Sequence, residues 1–348
     1  LFNIRDYPSL ESTTFAQYTY DVLSRRAQVI YPNSTRNILS YNKAGELTDI
    51  THRTSSNVFG SFVYGLNNVG YRESMTTPEG THAYGYDDLY RLTSADHPDF
   101  GDEGYTYDAV GNRVENRVDS HPSPTLPTSG GGKGGGADPD FISSPTRGED
   151  QGEGTWTYNA ANQLLDDGTY TYTYDDNGNM MTKTEKANPS NVVRYFYSPE
   201  NQLIKITSSL GTVKYAYDGL GRRIQKDLGG RITKYIYSEE DLVAEYSATN
   251  VLQAAWLHGP GIDDPVYMER AGQKYYYHVD GLGSITELSN STGAVAQSYK
   301  YDAFGNIVSQ TGSLINPFTY TGREYDPESG LLYYRWRYYD PIPGRFIQ

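Results

Sequence analysis

One short phrase recurs along this chain. "YTYDAVGNR", "YTYDDNGNM", "YAYDGLGRR" and "YKYDAFGN" each set aromatic residues at i and i+2, then an acid, then Gly three residues beyond the acid. Aligned on the second aromatic, intact or degraded copies fall at Tyr20, Tyr41, Tyr64, Tyr86, Tyr107, Tyr158, Tyr174, Tyr197, Tyr217, Tyr237, Tyr277, Tyr301 and Tyr320. The commonest step is about 20 to 24 residues, which is room for two short strands and two turns.

Each part of the phrase has a mechanical reading. Aromatics at i and i+2 share one face of a strand, and aromatic and β-branched side chains favour that pleated surface. The Asp or Asn that follows can bond its own backbone in an Asx-turn, while the Gly accepts the positive φ of a tight reversal. Gly111, Gly178, Gly221 and Gly305 are therefore the expected turn glycines, and Tyr107, Tyr174, Tyr217 and Tyr301 the repeat aromatics of the clearest copies. Beyond the Gly a return strand begins, with alternating apolar positions as in "RRIQKDL". Cross-strand aromatic pairs join copy to copy at roughly 0.2–1 kcal/mol each. The expected fold class is all-β, an antiparallel sheet of repeats with little helix.

Composition excludes several function classes. Apolar residues including Tyr make up 36% of the 348, and Tyr supplies 35 residues against 10 Phe and 3 Trp. A core made largely of phenols is thin, because each hydroxyl wants water or a partner. A formal net charge of −14 argues against broad contact with nucleic acid or an anionic membrane. The absence of Cys rules out disulfides and thiolate zinc sites. No run of 18 apolar residues marks a membrane span, and no basic-then-apolar leader precedes the repeats. Opening on "LFNIRDYPSL" without an initiator Met, the chain reads as a piece of something longer.

The copies divide into blocks. Repeats run over 1–114, a Gly-, Pro- and Ser-rich insertion loop over 115–155, repeats again over 156–250, and a distinct C-terminal region over 251–348. Lys133 among the loop glycines lacks the Ser or Thr and the strand-to-helix setting of a phosphate cradle.

The C-terminal region carries "WLHGPGIDDPV", "YYYHVDGLGSITELSNSTGAV", "YKYDAFGN", "YTGREYDPESGLLYYRWRYYDP" and "GRF" in that order. Together with the repeats it resembles the RHS/YD-repeat family across nearly the whole chain outside 115–155, and the RHS core-associated region most closely. The resemblance implies a sheet wound as a spiral shell or tube, as in bacterial polymorphic toxins, insecticidal toxin complexes and teneurin adhesion proteins. It implies that "YYRWRYYDPIPGRF" folds inward and plugs one end. The function it implies is a structural scaffold, secreted or at a cell surface and bacterial, that encloses or presents a C-terminal cargo or toxin domain of the same longer protein. The alternative is an extracellular adhesin or filament module that binds glycans, or its own copies end to end, through exposed Tyr faces and sheet edges.

Catalysis has one candidate, which also comes from the resemblance. In toxin-carrying members, "RYYDPxxGRF" is followed by a second Asp-Pro, and the two aspartates cut the chain beyond. Two close carboxylates can share a proton, one acting as base on water while the other donates. Asp340 matches the first aspartate and Arg337 the arginine that precedes it, but these residues hold no second aspartate, so self-cleavage is expected only of a longer chain. The plainer role for Asp340 is a turn acid before Pro341.

Other chemistry is weakly signalled. His52, His82, His97, His121, His258 and His278 lack metal-ligand spacing. "DDNGNM", Asp175 to Met180, places its Gly too early for a calcium loop, and no Glu closes it. No Gly-x-Ser-x-Gly elbow occurs. Asn33 and Asn290 head glycosylation sequons of the kind that arise by chance. No cofactor or metal is expected. In "YYRWRYY", alternation would put Arg335 and Arg337 on one strand face, where they stack on Tyr rings or pair with acids such as Glu324 and Asp326, and Trp336 and Tyr338 on the other.

About fourteen two-strand units at about 4.8 Å per strand make roughly 135 Å of sheet, one turn of a tube roughly 40 Å across. Such a turn could ring a folded cargo of about 100 residues without enclosing it. Its first strand, near Tyr18 and Tyr20, would be left with unpaired backbone groups.

Overall fold

The computed structural model describes residues 2–5, 14–119 and 155–348. Most of the expected insertion over 115–155, with Lys133 and His121, lies outside them.

Each copy of the repeat folds as a hairpin whose turn is closed by its own acid. One oxygen of Asp87 accepts the N–H groups of Leu89 and Arg91 at 2.9 Å, and the other takes Arg91 Nε at 2.6 Å. Asp218 holds Leu220 and Arg222 in the same way, as Asp302 holds Phe304 and Asn306. The residue four beyond the acid therefore belongs to the turn, which accounts for the Arg or Asn found there. Asp175 in "DDNGNM" is one more such turn acid, bonded to Asn177 and Asn179. Gly111, Gly178, Gly221 and Gly305 stand at φ of +94°, +90°, +81° and +93°. Copies without Gly force Ser24, Tyr90, Asn162 and Asn201 into the same left-handed region at φ of 60–62°, at a cost of roughly 1–2 kcal/mol for a residue with a Cβ. The ladder slips at the second aromatic, between Thr106 and Tyr107, Thr173 and Tyr174, Ala216 and Tyr217, and Lys300 and Tyr301. This is the bulge that accompanies such turns.

The two aromatics of a copy have different jobs. Tyr105, Tyr172, Tyr215 and Tyr299, the first of each pair, are buried. The second reaches back to the preceding hairpin. Tyr107 donates its hydroxyl to Leu92 O at 2.7 Å, Tyr174 to Leu164 O at 2.8 Å, Tyr217 to Leu203 O at 2.6 Å and Tyr301 to Ile285 O at 2.7 Å. Tyr41 and Tyr86 do the same to Arg26 O and Arg72 O. Every acceptor is the first residue of the preceding return strand. Burying such a ring contributes about 1.5–3 kcal/mol and the hydrogen bond about 0.5–1.5 kcal/mol net, so the rings supply cohesion and the hydroxyls set the register. The turn arginines add to the link: Arg25 lies over Tyr41 at 4.5 Å, and Arg91 over Tyr107 at 4.6 Å.

Hairpins joined in this way make a strip. Eleven strands from Phe2–Arg5 to Arg113–Asp119 form one sheet and sixteen from Thr157–Tyr158 to Ile307–Thr311 a second, each strand antiparallel to its sequence neighbours. Trp156 N–H donates to Val114 O at 2.7 Å and carries the ladder from one sheet to the other. A terminal sheet of four strands follows: Glu324–Asp326, Leu331–Tyr334, Arg337–Asp340 and Arg345–Phe346. Among the described residues helix is limited to a three-residue 3-10 turn, Tyr320–Gly322. The all-β antiparallel class expected from the repeats is the observed one.

The strip winds inward. Strands Pro265–Arg270 and Ile285–Asn290 are buried along most of their length, because both of their faces are covered. One face packs with Trp256, Tyr277, Leu288 and Phe318. The other puts Val266, Tyr267 and Tyr276 beneath Phe15, Tyr18 and Tyr31 from the chain's first strands. Early strands thus form an outer wall, and late strands lie inside it. The terminal sheet fills the curve beyond: Leu331, Tyr333, Tyr338 and Ile347 share a core with Trp156, Leu164, Tyr172, Met180 and Tyr195. Met180 N–H donates to Ile347 O at 2.8 Å, closing the plug against the strip.

Two expectations need correction. Strand Thr14–Tyr20, which holds Tyr18 and Tyr20, is not an edge, because Phe2–Arg5 pairs with it. Arg335 and Trp336 do not alternate along one strand; they form a two-residue reversal between Tyr334 and Arg337, with Arg335 at φ +62°. The reversal brings Arg335 to Asp263 at 3.1 Å and leaves Arg337 stacked on the Phe346 ring at 3.6 Å, and among the described residues neither forms an ion pair with Glu324 or Asp326.

The turn glycines differ in what surrounds them. A Cβ on Gly221 would strike the Trp336 ring and one on Gly305 the Tyr320 ring, whereas at Gly111 the nearest atom is 3.9 Å away and at Gly178 it is 3.4 Å away. All four Gly→Val variants are expected to lower the urea midpoint, those at 221 and 305 by a further 1–3 kcal/mol or so. Ser24→Gly is expected to raise it by up to about 1 kcal/mol. Equal losses at the four glycines would contradict this account of the turns.

Candidate functional site

Asp340 and Arg337, the catalytic candidates that the resemblance singles out, both lie on the third strand of the terminal sheet. Asp340 and Arg337 stand three apart on one strand and so project to opposite faces. Asp340 is buried and receives Lys183 Nζ at 2.8 Å and Ile342 N–H at 3.1 Å. Burial alone would lower the Lys183 pKa, but Asp340 outweighs it and holds the ammonium above its ordinary value. Arg337 is exposed. Of the other predicted residues, Tyr217 also touches Tyr338, hydroxyl to hydroxyl at 3.1 Å, and Gly221 lies under Trp336. Gly111, Gly178 and Gly305 sit on separate turns.

A second buried charge cluster anchors the plug. Arg223 is fully enclosed, bonded to Glu324 at 2.8 Å and to Asp326, with Tyr333 facing its guanidinium at 4.5 Å. Lys226 Nζ reaches Asp326 and Glu328, both at 2.9 Å. Burial would raise the Asp326 carboxyl, but Arg223 and Lys226 hold it below its usual range. At Glu324 burial prevails and the pKa rises.

The third group lies where the wall meets the inner turn. His52 sets Nδ1 2.8 Å from Glu287 Oε2 and Nε2 3.0 Å from Val279 O. His278 sets Nδ1 2.5 Å from Asn37 Oδ1 and Nε2 2.8 Å from Ser289 Oγ. Asn33 donates to Ser289 Oγ at 2.9 Å and to Asn290 O at 2.7 Å, so its sequon amide is spent inside the fold. Ser289, His278 and Asn37 have the order of nucleophile, base and orienting amide. With Ser289 and His278 both 0% exposed, no substrate reaches the hydroxyl, and the string serves as a joint between layers. Farther along, His82 and His97 meet Nδ1 to Nδ1 at 2.8 Å, His97 Nε2 lies 3.1 Å from Glu103, and Glu103 accepts Ala303 N–H at 3.0 Å. Lys300 joins Glu79 and Asp99.

Sequence reasoning missed the joints of His52 and His278 because Glu287 and Asn37 lie 235 and 241 residues away, which no local spacing records; His82, His97 and Glu103 are near in sequence but carry no metal-ligand spacing to mark them. Among the described residues no group of three His, Asp or Glu is placed to hold a metal ion, and no helix is long and apolar enough to cross a membrane. Between strands Val58–Leu66, Gly80–Tyr86 and Leu92–Asp96 of the wall and Val295–Tyr301 of the inner turn lies a cavity of about 560 Å³.

The profile of the Teneurin YD-shell family matches residues 144–348. The chain belongs to this YD-shell family. It is similar to the tRNA nuclease WapA of Bacillus subtilis (strain 168), 29% identical over 267 residues that cover 75% of this chain and 10% of the relative. It is also similar to Double-stranded DNA deaminase toxin A of Burkholderia cenocepacia (strain H111), 26% identical over 324 residues, 82% of this chain and 20% of that one. The YD-shell chain thus spans a fifth or less of these relatives. Among solved structures, the Photorhabdus luminescens Tc holotoxin pore superposes with a TM-score of 0.72 at 17% identity, over 98% of this chain and 18% of that one. The TcdB2-TccC3 crystal structure gives a TM-score of 0.60 at 17% identity, over 99% and 19%. At such identities the likeness is one of fold, and it agrees with the wound strip.

Two outcomes follow from the buried charges. Removing one partner of a buried ion pair strands the other, at about 3–5 kcal/mol. Asp340→Asn is therefore expected to lower the urea midpoint strongly, and Lys183→Met in the same chain to recover much of the loss; additive losses would contradict the pairing. Burial, with His97 beside it, depresses the His82 pKa to about 4, and burial with His52 nearby depresses that of His278 well below its ordinary value. The folded state refuses protons that the unfolded chain takes up near pH 6.5, so this stability is present above about pH 6.5 and lost as pH falls towards about 4. Urea midpoints measured across that window should fall, and by less in His82→Gln, which cannot titrate.

Proposed function

We propose that this chain is the inward-wound closing part of a YD-shell protein, a scaffold without enzymatic activity of its own that encloses or presents a C-terminal cargo domain outside the cell or at its surface. The observation that carries the reading is the plug. The terminal sheet is held to the strip by Lys183 on Asp340, by Arg223 on Glu324 and Asp326, and by the Met180–Ile347 backbone bond, so sequence following Gln348 would start from the inner side of the wall. The names of the relatives, a tRNA nuclease and a deaminase toxin, support a cargo with its own activity. Asp340 is then the first carboxylate of a self-cleaving pair whose second member would come from that following sequence, and Lys183 the cation it would have to share.

Two tests bear on this reading. The natural gene should continue past Gln348 into an Asp-Pro and an unrelated domain; a stop codon or a membrane anchor there would contradict the proposal. In the full gene product that domain should resist protease under native conditions and become cleavable once the shell is unfolded in denaturant. Cleavage at the same rate with the shell intact would overturn the enclosing role.

A second reading, self-association, rests on strands Phe2–Arg5 and Ile307–Thr311, each paired on one side only among the described residues. Four of the five residues of the latter are exposed. Unpaired edges template further strands, and joining one end to the other builds rings or filaments. Light scattering of the 348-residue chain over a concentration series should reveal growing mass; a constant monomer mass would rule this out.

A further inference from the structure

Three lysines each meet a carboxylate of another layer, in different settings. Lys300 Nζ touches Glu79 at 3.1 Å and also Asp99, but Lys300 and Glu79 are 39% and 41% exposed, so water reaches the group. Lys183 is enclosed with Asp340 at 2.8 Å, and no second carboxylate touches its Nζ among the described residues. Of the three, Lys226 combines a second acid with a dry site. Its Nζ lies 2.9 Å from Asp326 Oδ1 and 2.9 Å from Glu328 Oε1, and those two acids are 1% and 6% exposed.

The fold delivers each group separately. Lys226 projects from strand Arg223–Leu228 of the strip, and Asp326 ends strand Glu324–Asp326 of the plug, 100 residues farther on. Asp326 O accepts the N–H groups of Ser329 and Gly330 at 3.0 and 2.9 Å, a tight turn that carries Glu328 back to the amine its neighbour already holds. Glu328 Oε1 is buried and makes no hydrogen bond, so its capacity to accept a proton is unspent. Arg223 holds the far oxygen of Asp326, Oδ2, and is itself enclosed by Tyr215, Tyr235 and Tyr333.

An amine and a carboxyl need this arrangement to condense without an activating cofactor. Nζ, bonded to Oδ1, lies beside the carboxyl carbon, close to the near-attack separation of about 3–3.5 Å. Hydration protects such an ion pair in water; in a dry site that protection is gone, and a neutral amide has no desolvation to bear. The step balances within the cluster. One ammonium proton passes along the Nζ–Oδ1 bond, giving a neutral amine and a neutral carboxyl. Nζ then attacks Cγ, and the Arg223 guanidinium faces the oxyanion that forms at Oδ2. Glu328 takes a second proton from the nitrogen and hands it to Oδ1. The Cγ–Oδ1 bond breaks, and Oδ1 departs as water past Lys226, whose side chain is 17% exposed. The third proton stays on the amide nitrogen. Nothing is oxidised or reduced, and Glu328 ends as it began.

We propose that Lys226 and Asp326 become joined by an amide bond in the folded chain, with Glu328 as the proton carrier. The bond ties the strip to the plug covalently, which the other ion pairs and the Met180–Ile347 bond cannot do. The inference rests on this cluster alone and holds whether or not a cargo domain follows the plug.

The test is mass spectrometry of the whole chain, denatured after prolonged incubation at neutral pH. The parent chain should weigh one water less than its sequence, and proteolysis should release a branched peptide that joins Lys226 to Asp326. Lys226→Met and Glu328→Gln should both carry their full sequence masses. Glu328→Gln keeps the shape of the side chain, and a native far-ultraviolet CD spectrum would show that its fold is retained. The parent's mass decides first and needs no variant. Full sequence mass in the parent, a water loss that maps instead to an Asp-Gly step such as Asp218-Gly219 or Asp280-Gly281, or a branched peptide undiminished in Glu328→Gln would overturn the proposal.

Discussion

Winding a sheet inside itself takes water from both faces of the inner strands, so each polar group on the second face has to find its partner in the other layer. Strand Ile285–Asn290 meets that constraint by alternation. Glu287 and Ser289 share the face turned to the wall, where they meet His52 and Asn33, while Leu288 between them faces the inner core. Aromatic contacts supply the bulk of the adhesion, as where Tyr31 lies 5.4 Å from Tyr276 and Phe15 4.6 Å from Tyr267. Rings tolerate sliding, but a buried histidine or glutamate that misses its partner loses several kcal/mol. The polar joint therefore decides where along the wall the inner turn comes to rest.

The cavity and the plug both depend on that placement. Once the inner turn is seated, Lys300 and Ala303 are delivered to Asp99 and Glu103 of the wall, and the space left between the layers is the cavity around His82 and Tyr84. On the other side of the molecule Tyr333 and Tyr338 enter the curve of the strip, and Arg223 is sealed between them and Tyr215 and Tyr235. Buried ion pairs add little net stability beside well-packed rings. Their contribution here is direction, since Arg223 accepts only a segment that brings Glu324 and Asp326 together.

Local chemistry was legible in the sequence, and long-range chemistry was not. The Tyr-x-Tyr spacing, the turn acid and the turn glycine specify a hairpin within about ten residues, so the all-β class, the antiparallel order and the positive φ at Gly111 or Gly305 could be read directly. The back-bond from Tyr107 to Leu92 O spans 15 residues, still within one repeat step, and was open to inference from the need of each phenol for a partner. The contacts of His52 with Glu287 and of His278 with Asn37 span 235 and 241 residues. They arise from the curvature of the whole strip, to which each hairpin adds a small angle that no local motif records. The break at Arg335 and Trp336 was missed for a related reason: period-2 alternation cannot tell one long strand from two short ones joined by a two-residue turn.

The inward winding is tested most directly by a double-mutant cycle across the layers, with His52→Asn and Glu287→Gln singly and together, read by urea denaturation at pH 7. The two positions are 235 residues apart in sequence and 2.8 Å apart in the fold. A wall seated on the inner turn predicts a coupling of about 1–3 kcal/mol. Losses that add to within about 0.5 kcal/mol would mean that the layers do not meet there, and would contradict the wound strip.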